Sequence, residues 1–263
     1  MTASPETTAS LVEIFASAQG EGPEIGRTTV FVRFGGCDLR CRWCDSPGTW
    51  RPVSSCRIET AAFSEDFKVV QNPVTPGQIA NWVAALAPMD STWISLTGGE
   101  PLIQPEALEA LVTELVRAKR RIYLETHGLH AEALGRIADR IDLISMDWKL
   151  ASDVVWGPGA RVEGSDDFHD LHERFLRVAL QAKSVYVKVV LTPSTREDEF
   201  DAMIDRIEAV DRNILLVLQP VTPAGGVKRM PEAQELLAWL ARAETRLADV
   251  RLIPQTHPIY GAL

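Results

Sequence analysis

The chain has 263 residues, a hydrophobic fraction of 46%, a charged fraction of 24% and a formal net charge of −9. This length and composition predict one globular domain over residues 1–263, and the acidic balance argues against a nucleic-acid partner. No apolar run reaches about eighteen residues, which argues against a membrane partner. Residues 1–10 lack the basic and apolar regions of an export signal, so we expect a cytoplasmic protein.

Apolar, β-rich segments alternate with segments of helical periodicity along the chain. Strands alternating with helices are typical of parallel βα units, so the pattern predicts an α/β fold. About six such units fall short of the eight of a closed barrel, which favours a partial (β/α)6-type barrel. The predicted strands are 29–34, 92–97, 121–125, 141–146, 184–191, 213–218 and 250–253, and the predicted helices are 76–87, 104–120, 130–139, 168–182, 196–210 and 231–247.

Two stretches interrupt this alternation. Residues 45–74 hold Asp, Ser, Pro and Gly with few periodic apolar positions, so we expect a loop or insertion there. Residues 151–167 are rich in Gly and Asp and are expected to form another loop. Polar motifs otherwise collect where the predicted strands end, which is the edge where parallel barrels carry functional residues. That edge is the predicted site.

Three of the four cysteines lie close together, at Cys37, Cys41 and Cys44. The C-x3-C-x2-C spacing offers three thiolates, so a [4Fe–4S] cluster held there keeps one iron open for a small molecule. A structural zinc site needs four ligands, and Cys56 lies in a polar stretch with no partner nearby in the sequence. Crowding disfavours a disulfide between Cys41 and Cys44. The spacing favours an iron–sulfur cluster over zinc or chance.

A glycine-rich turn, Thr97-Gly98-Gly99-Glu100-Pro101, follows the second predicted strand. Glycines let the backbone approach a ligand closely, and the Glu100 carboxylate can accept from a ligand ammonium. The ordinary interpretation is a strand-to-helix turn, since glycine and proline mark turns. Beside the three cysteines, the motif resembles that of radical S-adenosylmethionine (SAM) enzymes. The resemblance implies a radical SAM barrel in which SAM occupies the open iron.

A closer resemblance covers most of the chain. Segments 18–22, 31–41 and 43–46, with Gln255-Thr256-His257, resemble the 7-carboxy-7-deazaguanine synthase family of queuosine and 7-deazapurine biosynthesis. That family contracts the ring of 6-carboxy-5,6,7,8-tetrahydropterin with magnesium and releases ammonia, so the resemblance implies a carbon–nitrogen lyase. It also implies a flavodoxin or ferredoxin as electron donor, a homodimer, and a substrate-capping tail at 248–263.

The resemblance implies a role for each matched position. Cys37, Cys41 and Cys44 would hold the cluster, and Ser46 would ligate magnesium, a hard cation that takes few protein oxygens. Since the cluster and SAM would generate the radical, no catalytic side chain is named. Matched SAM contacts are Trp43, Asp45, Gly99, Glu100, Ser145, Asp147, Gln219 and Pro220, and matched pterin contacts are Ala18, Gln19, Gly20, Glu21, Arg33, Thr97, Glu125, His257 and Leu263.

Two of these assignments leave alternatives open. The aminopyrimidinone edge of the pterin could donate to Glu21 or to Glu125. Arg33 ends the first predicted strand, where its guanidinium suits a bidentate carboxylate, although an exposed arginine closing a strand is the alternative.

The chain departs from the family pattern in two places. Glu125-Thr126-His127-Gly128 stands where the family often has Glu-Thr-Asn-Gly, and segment 145–149 replaces the usual Ser-Pro-Lys run. Ser145 therefore matches better than Asp147. We do not expect His127 and His130 to form a metal pair, because the gap between them straddles a glycine turn.

Two other functions stay open from the sequence. The cysteine spacing alone permits a radical SAM activase that abstracts hydrogen from a glycine of a partner protein, and Asp147-x-Lys149 is reminiscent of such enzymes. The Gln-Thr-His tail and Ser46 would then lack a role. A non-enzymatic zinc protein is the third hypothesis, and zinc without iron or sulfide would support it.

Overall fold

The computed structural model describes residues 7–160 and 167–262 of the chain. The strands in those ranges are β1 Leu11–Ala18, β2 Thr28–Phe34, β3 Leu39–Cys41, β4 Ser55–Glu59, β5 Phe67–Gln71, β6 Trp93–Gly98, β7 Arg121–Thr126, β8 Leu143–Asp147, β9 Val154–Trp156, β10 Val185–Leu191, β11 Leu216–Pro220 and β12 Val250–Leu252. The α-helices are α1 Pro76–Leu86, α2 Pro105–Arg117, α3 Ala131–Gly135, α4 Phe168–Ala179, α5 Glu197–Asp211, α6 Ala233–Glu244 and α7 His257–Tyr260.

Ten of these strands form one sheet in the order β12-β11-β10-β8-β7-β6-β2-β1-β4-β5. The seven strands from β12 to β2 run parallel to one another, and they correspond to the seven predicted strands. The predicted α/β fold class is therefore confirmed. The strand order is open, with β12 and β5 at its two ends, so hydrogen bonding among the described strands closes no barrel.

The segment 45–74, expected to be a loop or insertion, contains two strands. Strands β4 and β5 form an antiparallel hairpin there, and β4 extends the sheet by pairing in parallel with β1. No sequence periodicity marked β5, because it lies at the sheet edge with most of its side chains exposed. The loop expected at 151–167 also contains a strand, β9, which pairs with β3 of the cysteine segment. Residues 161–166 of that prediction lie outside the described residues.

Helix α2 shows how the layers hold together. Its residues Leu108, Leu111, Val112 and Leu115 follow the i, i+3, i+4, i+7 pattern and are all fully buried. Full burial of such a side chain contributes about 1.5–3 kcal/mol each. Since α2 follows β6 almost directly, this packing also fixes the glycine-rich turn at the end of β6.

None of the helices in the described ranges is long and apolar enough to cross a membrane.

Candidate active site

A cavity of about 430 Å³ lies at the carboxyl ends of the parallel strands, which is the predicted edge. Its volume is in the range of small-molecule sites. Among the residues predicted for the site that the structure describes, all but two line it. These are Ala18, Gln19, Gly20, Glu21, Arg33, Cys37, Cys41, Trp43, Cys44, Asp45, Ser46, Thr97, Gly99, Glu125, Ser145, Asp147, Gln219 and His257.

The structure does not bring Glu100 or Pro220 to the cavity wall. Glu100 is fully buried, and its carboxylate accepts from the Leu102 and His127 backbone N–H groups at 3.0 and 2.9 Å and from a threonine hydroxyl. Its oxygens already have protein donors, and the expectation that they face a ligand ammonium stays a prediction. Pro220 is buried at the end of β11, and Leu263 lies outside the described residues.

The three cysteines share one wall of the cavity. The Cys44 backbone N–H donates to the Cys41 carbonyl at 3.2 Å, and the Cys37 N–H donates to the Trp50 carbonyl at 3.3 Å. Burial raises the pKa of the Cys37 thiol to about 12 and that of Cys41 to about 11, and it also raises that of Cys44. A bound cationic centre, as in an iron–sulfur site, would favour the thiolate form at these positions.

The glycine-rich turn packs directly against the start of the cysteine loop. A Cβ on Gly99 would lie 2.0 Å from the Gly36 carbonyl oxygen, and the same oxygen accepts from the Glu100 N–H at 2.8 Å. Gly98 adopts φ +129°, a conformation that favours glycine. The turn thus has a packing function between β6 and the cysteines, in addition to lining the cavity.

Four charged side chains form a cluster that we call the charged floor. Lys149 and Lys188 are buried, and Glu21 and Asp147 are half-buried, with 18% of each carboxylate side chain exposed. The Lys188 Nζ lies 2.5 Å from Glu21 Oε2 and 3.3 Å from Asp147 Oδ2. The Lys149 Nζ lies 2.8 Å from Asp147 Oδ2.

The charged floor stays ionised although two of its members are buried and two are half-buried. Burial alone would raise the pKa of Glu21, yet Lys188 outweighs it and holds that pKa below its ordinary value. The two lysines likewise outweigh burial and lower the pKa of Asp147, while the carboxylates raise the pKa of Lys188. Two cations and two anions therefore balance.

The two carboxylates that could recognise a pterin differ in what they already bind. Glu21 uses both oxygens: Oε2 accepts from Lys188, and Oε1 accepts from Gln255 Nε2 at 2.5 Å. Glu125 Oε1 accepts from the Ser95 hydroxyl at 2.6 Å and from Gln19 Nε2 at 3.0 Å, whereas its Oε2 has no hydrogen-bond donor within the described ranges. Burial, and then Glu21, raise the pKa of Glu125. Glu125 is thus the carboxyl group with capacity for a ligand.

Two buried acceptor atoms of the cavity also lack donors. Gln219 Oε1 and Asp147 Oδ1 have no hydrogen-bond partner among the residues that the structure describes, and Gln219 is only 3% exposed. A buried acceptor without a donor costs free energy, so both atoms suit a ligand that brings N–H or O–H groups.

Two predicted residues at the cavity edge have protein partners. Arg33 lines the cavity, but its Nε also donates to Glu13 Oε1 at 2.9 Å. The Ser46 hydroxyl donates to Asp45 Oδ1 at 2.7 Å, so two oxygen-bearing side chains stand together directly after Cys44.

Comparison with known proteins gives the family. A model described as the radical SAM superfamily matches residues 31–207. The 7-carboxy-7-deazaguanine synthase of Geobacter sulfurreducens is 39% identical over 262 residues, covering 97% of this chain and 98% of its own length. The chain belongs to the 7-carboxy-7-deazaguanine synthase family.

Two further similarities agree with this family. The enzyme of the same name from Methanothermobacter thermautotrophicus is 32% identical, covering 96% of this chain and 97% of its own length. The crystal structure of QueE from Escherichia coli is similar in fold, with a TM-score of 0.58 over 95% of each chain at 18% identity. Membership of the radical SAM superfamily implies a [4Fe–4S] cluster and SAM, and the three cysteines on one wall fit such a cluster.

Sequence reasoning missed Lys188, which the 7-carboxy-7-deazaguanine synthase resemblance did not assign. The signal was available, because a lysine inside the apolar strand 184–191 faces either solvent or a buried carboxylate. At 6% exposure Lys188 faces the carboxylates of the charged floor. Gln255 was noted as part of the tail motif, but its bond to Glu21 could not be foreseen.

Proposed function

We propose that this protein catalyses the ring contraction of 6-carboxy-5,6,7,8-tetrahydropterin to 7-carboxy-7-deazaguanine, releasing ammonia as a carbon–nitrogen lyase. The observation that carries the proposal is the convergence on one cavity of the three cysteines, Glu125 and the 255–257 tail. The near-full-length similarity to enzymes named for this product supports it.

The cluster and SAM would occupy the cysteine side of this cavity. When bound, they supply the one-electron chemistry that produces a carbon radical. Cys37, Cys41 and Cys44 would hold the cluster, and their raised thiol pKa values mean that loading releases protons. The unpartnered Gln219 Oε1 would accept a hydrogen bond from SAM, and Trp43 and Ser145 would border it.

The pterin would lie over the charged floor. Glu125 Oε2, which has no donor within the described part of the chain, would accept from the 2-aminopyrimidinone edge. Glu21 would act indirectly, because Lys188 and Gln255 already occupy its oxygens. The geometry thus favours Glu125 over Glu21 as the carboxylate that contacts the ring.

We place magnesium at Ser46. The Ser46 hydroxyl and the Asp45 carboxylate lie 2.7 Å apart at the cavity edge. Magnesium takes few protein oxygens and completes its shell from substrate and water, so a substrate carboxylate would fit there. Arg33 would add a second contact to the same carboxylate while it stays paired with Glu13.

Two partners follow from the family and belong to this proposal. A flavodoxin or ferredoxin would deliver the electron, and two copies of the chain would form a homodimer. The electron donor is tested by adding purified reduced flavodoxin and monitoring reduction of the cluster through the absorbance of the cluster. Light scattering on the cluster-loaded protein tests the second.

Anaerobic turnover tests the reaction. Cluster-loaded protein is incubated with SAM, magnesium, dithionite and 6-carboxytetrahydropterin, and products are identified by mass spectrometry. We expect 7-carboxy-7-deazaguanine. If 5′-deoxyadenosine formed without it, the substrate assignment would be wrong and the cluster and SAM assignments would stand.

Glu125→Gln tests the recognition step. The substitution keeps the shape but removes the charge, and a hydrogen bond to a charged group contributes about 1.5–3 kcal/mol, so we expect KM for the pterin to rise about 10–150-fold. Glu132→Gln, at an exposed position of α3, is the matched control. An unchanged KM in Glu125→Gln would contradict the assignment.

A further inference from the structure

Asp38, His127 and His130 meet beside the cysteine loop, and we call them the His–Asp–His cluster. His127 Nε2 lies 2.7 Å from Asp38 Oδ1, and His130 Nε2 lies 2.8 Å from Asp38 Oδ2. The ligand atoms of all three side chains lie within 4.8 Å of one another. The proposed SAM, pterin and magnesium contacts include none of these side chains.

The glycine turn between the histidines brings their rings together. Gly128 has φ +71°, and the ring centroids of His127 and His130 are 5.3 Å apart. The glycine turn, which was the reason not to expect a metal pair from the sequence, thus leaves the two rings close together. His127 is only 5% exposed, and its Nε2 faces Asp38.

We propose that the His–Asp–His cluster binds one divalent transition-metal ion of the Zn²⁺ class. Zinc takes imidazole nitrogen and carboxylate oxygen at about 2.0–2.2 Å, and three protein ligands leave a position for water. Two imidazoles directed at one carboxylate give this donor set without any thiolate. The ion is therefore distinct from the iron of the cysteine site and from the magnesium placed at Ser46.

The charge balance around this cluster supports a cation. Glu100 lies beside it, with Oε2 at 3.4 Å from His127 Nε2, and Glu100 is fully buried. Within the described residues, no lysine or arginine reaches ion-pair distance of Glu100 or Asp38, and histidines are their only basic neighbours there. Buried carboxylates need compensating positive charge, and one divalent ion supplies two units of it.

The position of the ion suggests what it does. Asp38 directly follows Cys37, and its carbonyl accepts from the Gly157 N–H at 2.6 Å, whereas His127 and His130 follow the end of β7. An ion held by all three would join the cysteine loop to the sheet. It would thereby fix the first cluster ligand.

Metal analysis of the holoenzyme tests the proposal. Anaerobically purified, cluster-loaded protein is exposed to Zn²⁺ and desalted, and zinc, iron and sulfide are measured on the same sample. Zinc K-edge X-ray absorption then gives the ligand atoms. We expect about one zinc per chain with a nitrogen and oxygen shell and no sulfur at about 2.3 Å, the distance that cysteine-bound zinc would show.

Variants separate this site from the cysteines. His130→Gln keeps a hydrogen-bonding side chain and should lose the zinc while iron and sulfide are retained. Asp38→Asn, which keeps the shape of the carboxylate, should also lose the zinc. His169→Gln, on helix α4, should keep both metals.

Three results would overturn the proposal: no zinc after desalting, a sulfur shell around the zinc, or full zinc content in His130→Gln. Any of them would leave Asp38 as the acceptor of two imidazole hydrogen bonds without a metal. None of these measurements depends on pterin turnover, so they stand apart from the test of the proposed reaction.

Discussion

Replacing Lys188 by Met removes a charge from the middle of the charged floor and keeps most of the side-chain volume. Lys188 lies 2.5 Å from Glu21 and 3.3 Å from Asp147, whereas Lys149 contacts Asp147. The substitution therefore leaves the half-buried Glu21 carboxylate, whose side chain is 18% exposed, without its cation. Removing one partner of a buried ion pair costs about 3–5 kcal/mol. Since 1 kcal/mol shifts Tm by about 2–4 °C in chains near this size, Tm should fall by about 6–20 °C.

The loss should depend on pH. In the wild type, Lys188 holds the pKa of Glu21 below its value in the unfolded chain. The ion pair therefore stabilises the folded protein at pH values above the unfolded pKa. That stabilisation is lost as the pH falls through the folded pKa. In the variant, burial and Asp147 would raise the pKa of Glu21 above its unfolded value, so a penalty would grow as pH rises. The Tm difference should therefore be larger at about pH 8 than at about pH 5.

Thermal unfolding of the cluster-free protein, followed by the fluorescence of its seven tryptophans, measures this difference. Lys183→Met is the matched control, because Lys183 pairs with Asp142 just before β10 and its side chain is 72% exposed. An exposed pair contributes about 0–1 kcal/mol, so the control should change Tm little. If Lys188→Met lowered Tm no more than the control, or equally at both pH values, the reasoning about the charged floor would be refuted.

Two further substitutions test the cysteine wall and the glycine turn. Cys41→Ser should lose most of the cluster iron and sulfide. Cys56→Ser should keep them, because Cys56 is buried in β4 away from the cavity. Equal losses of iron and sulfide in the two variants would contradict the assignment of ligands. Gly99→Ala places a Cβ 2.0 Å from the Gly36 carbonyl oxygen and should abolish SAM binding in equilibrium dialysis. Gly77→Ala meets nothing within 4 Å and should bind SAM normally, and SAM binding by Gly99→Ala would show that the turn can move.

The parallel strands could be predicted from the sequence because the central strands of such a sheet are buried on both faces and are therefore apolar along their length. Residues 185–191 show this, since they form an apolar run broken only by Lys188. The hairpin of β4 and β5 lacks such an apolar run. Val69 is 67% exposed, and the charged Glu59 is buried, where its carboxylate accepts a hydrogen bond from the Ala16 N–H.

The site could be predicted where its residues are close in the sequence. The spacing of the cysteines, and the glycines of the β6 turn, are local patterns with a direct chemical meaning. The contacts of Glu21 with Lys188 and Gln255 span 167 and 234 positions, and the strand order of the sheet determines them. The partners of Glu100 were hidden for the same reason, since His127 reaches it only because β6 and β7 are neighbours.

The contact between Gln255 and Glu21 has a consequence for how the protein is made. Ribosomes add about 5–20 residues per second, and Gln255 lies 234 positions after Glu21, so Gln255 is synthesised roughly 12–47 seconds after Glu21. Thr256, which donates its backbone N–H to the Gly20 carbonyl at 2.9 Å, arrives equally late. The cysteine loop is therefore synthesised long before this part of the cavity wall. The cavity is therefore complete only after the tail has been synthesised, since Gln255 and His257 line it.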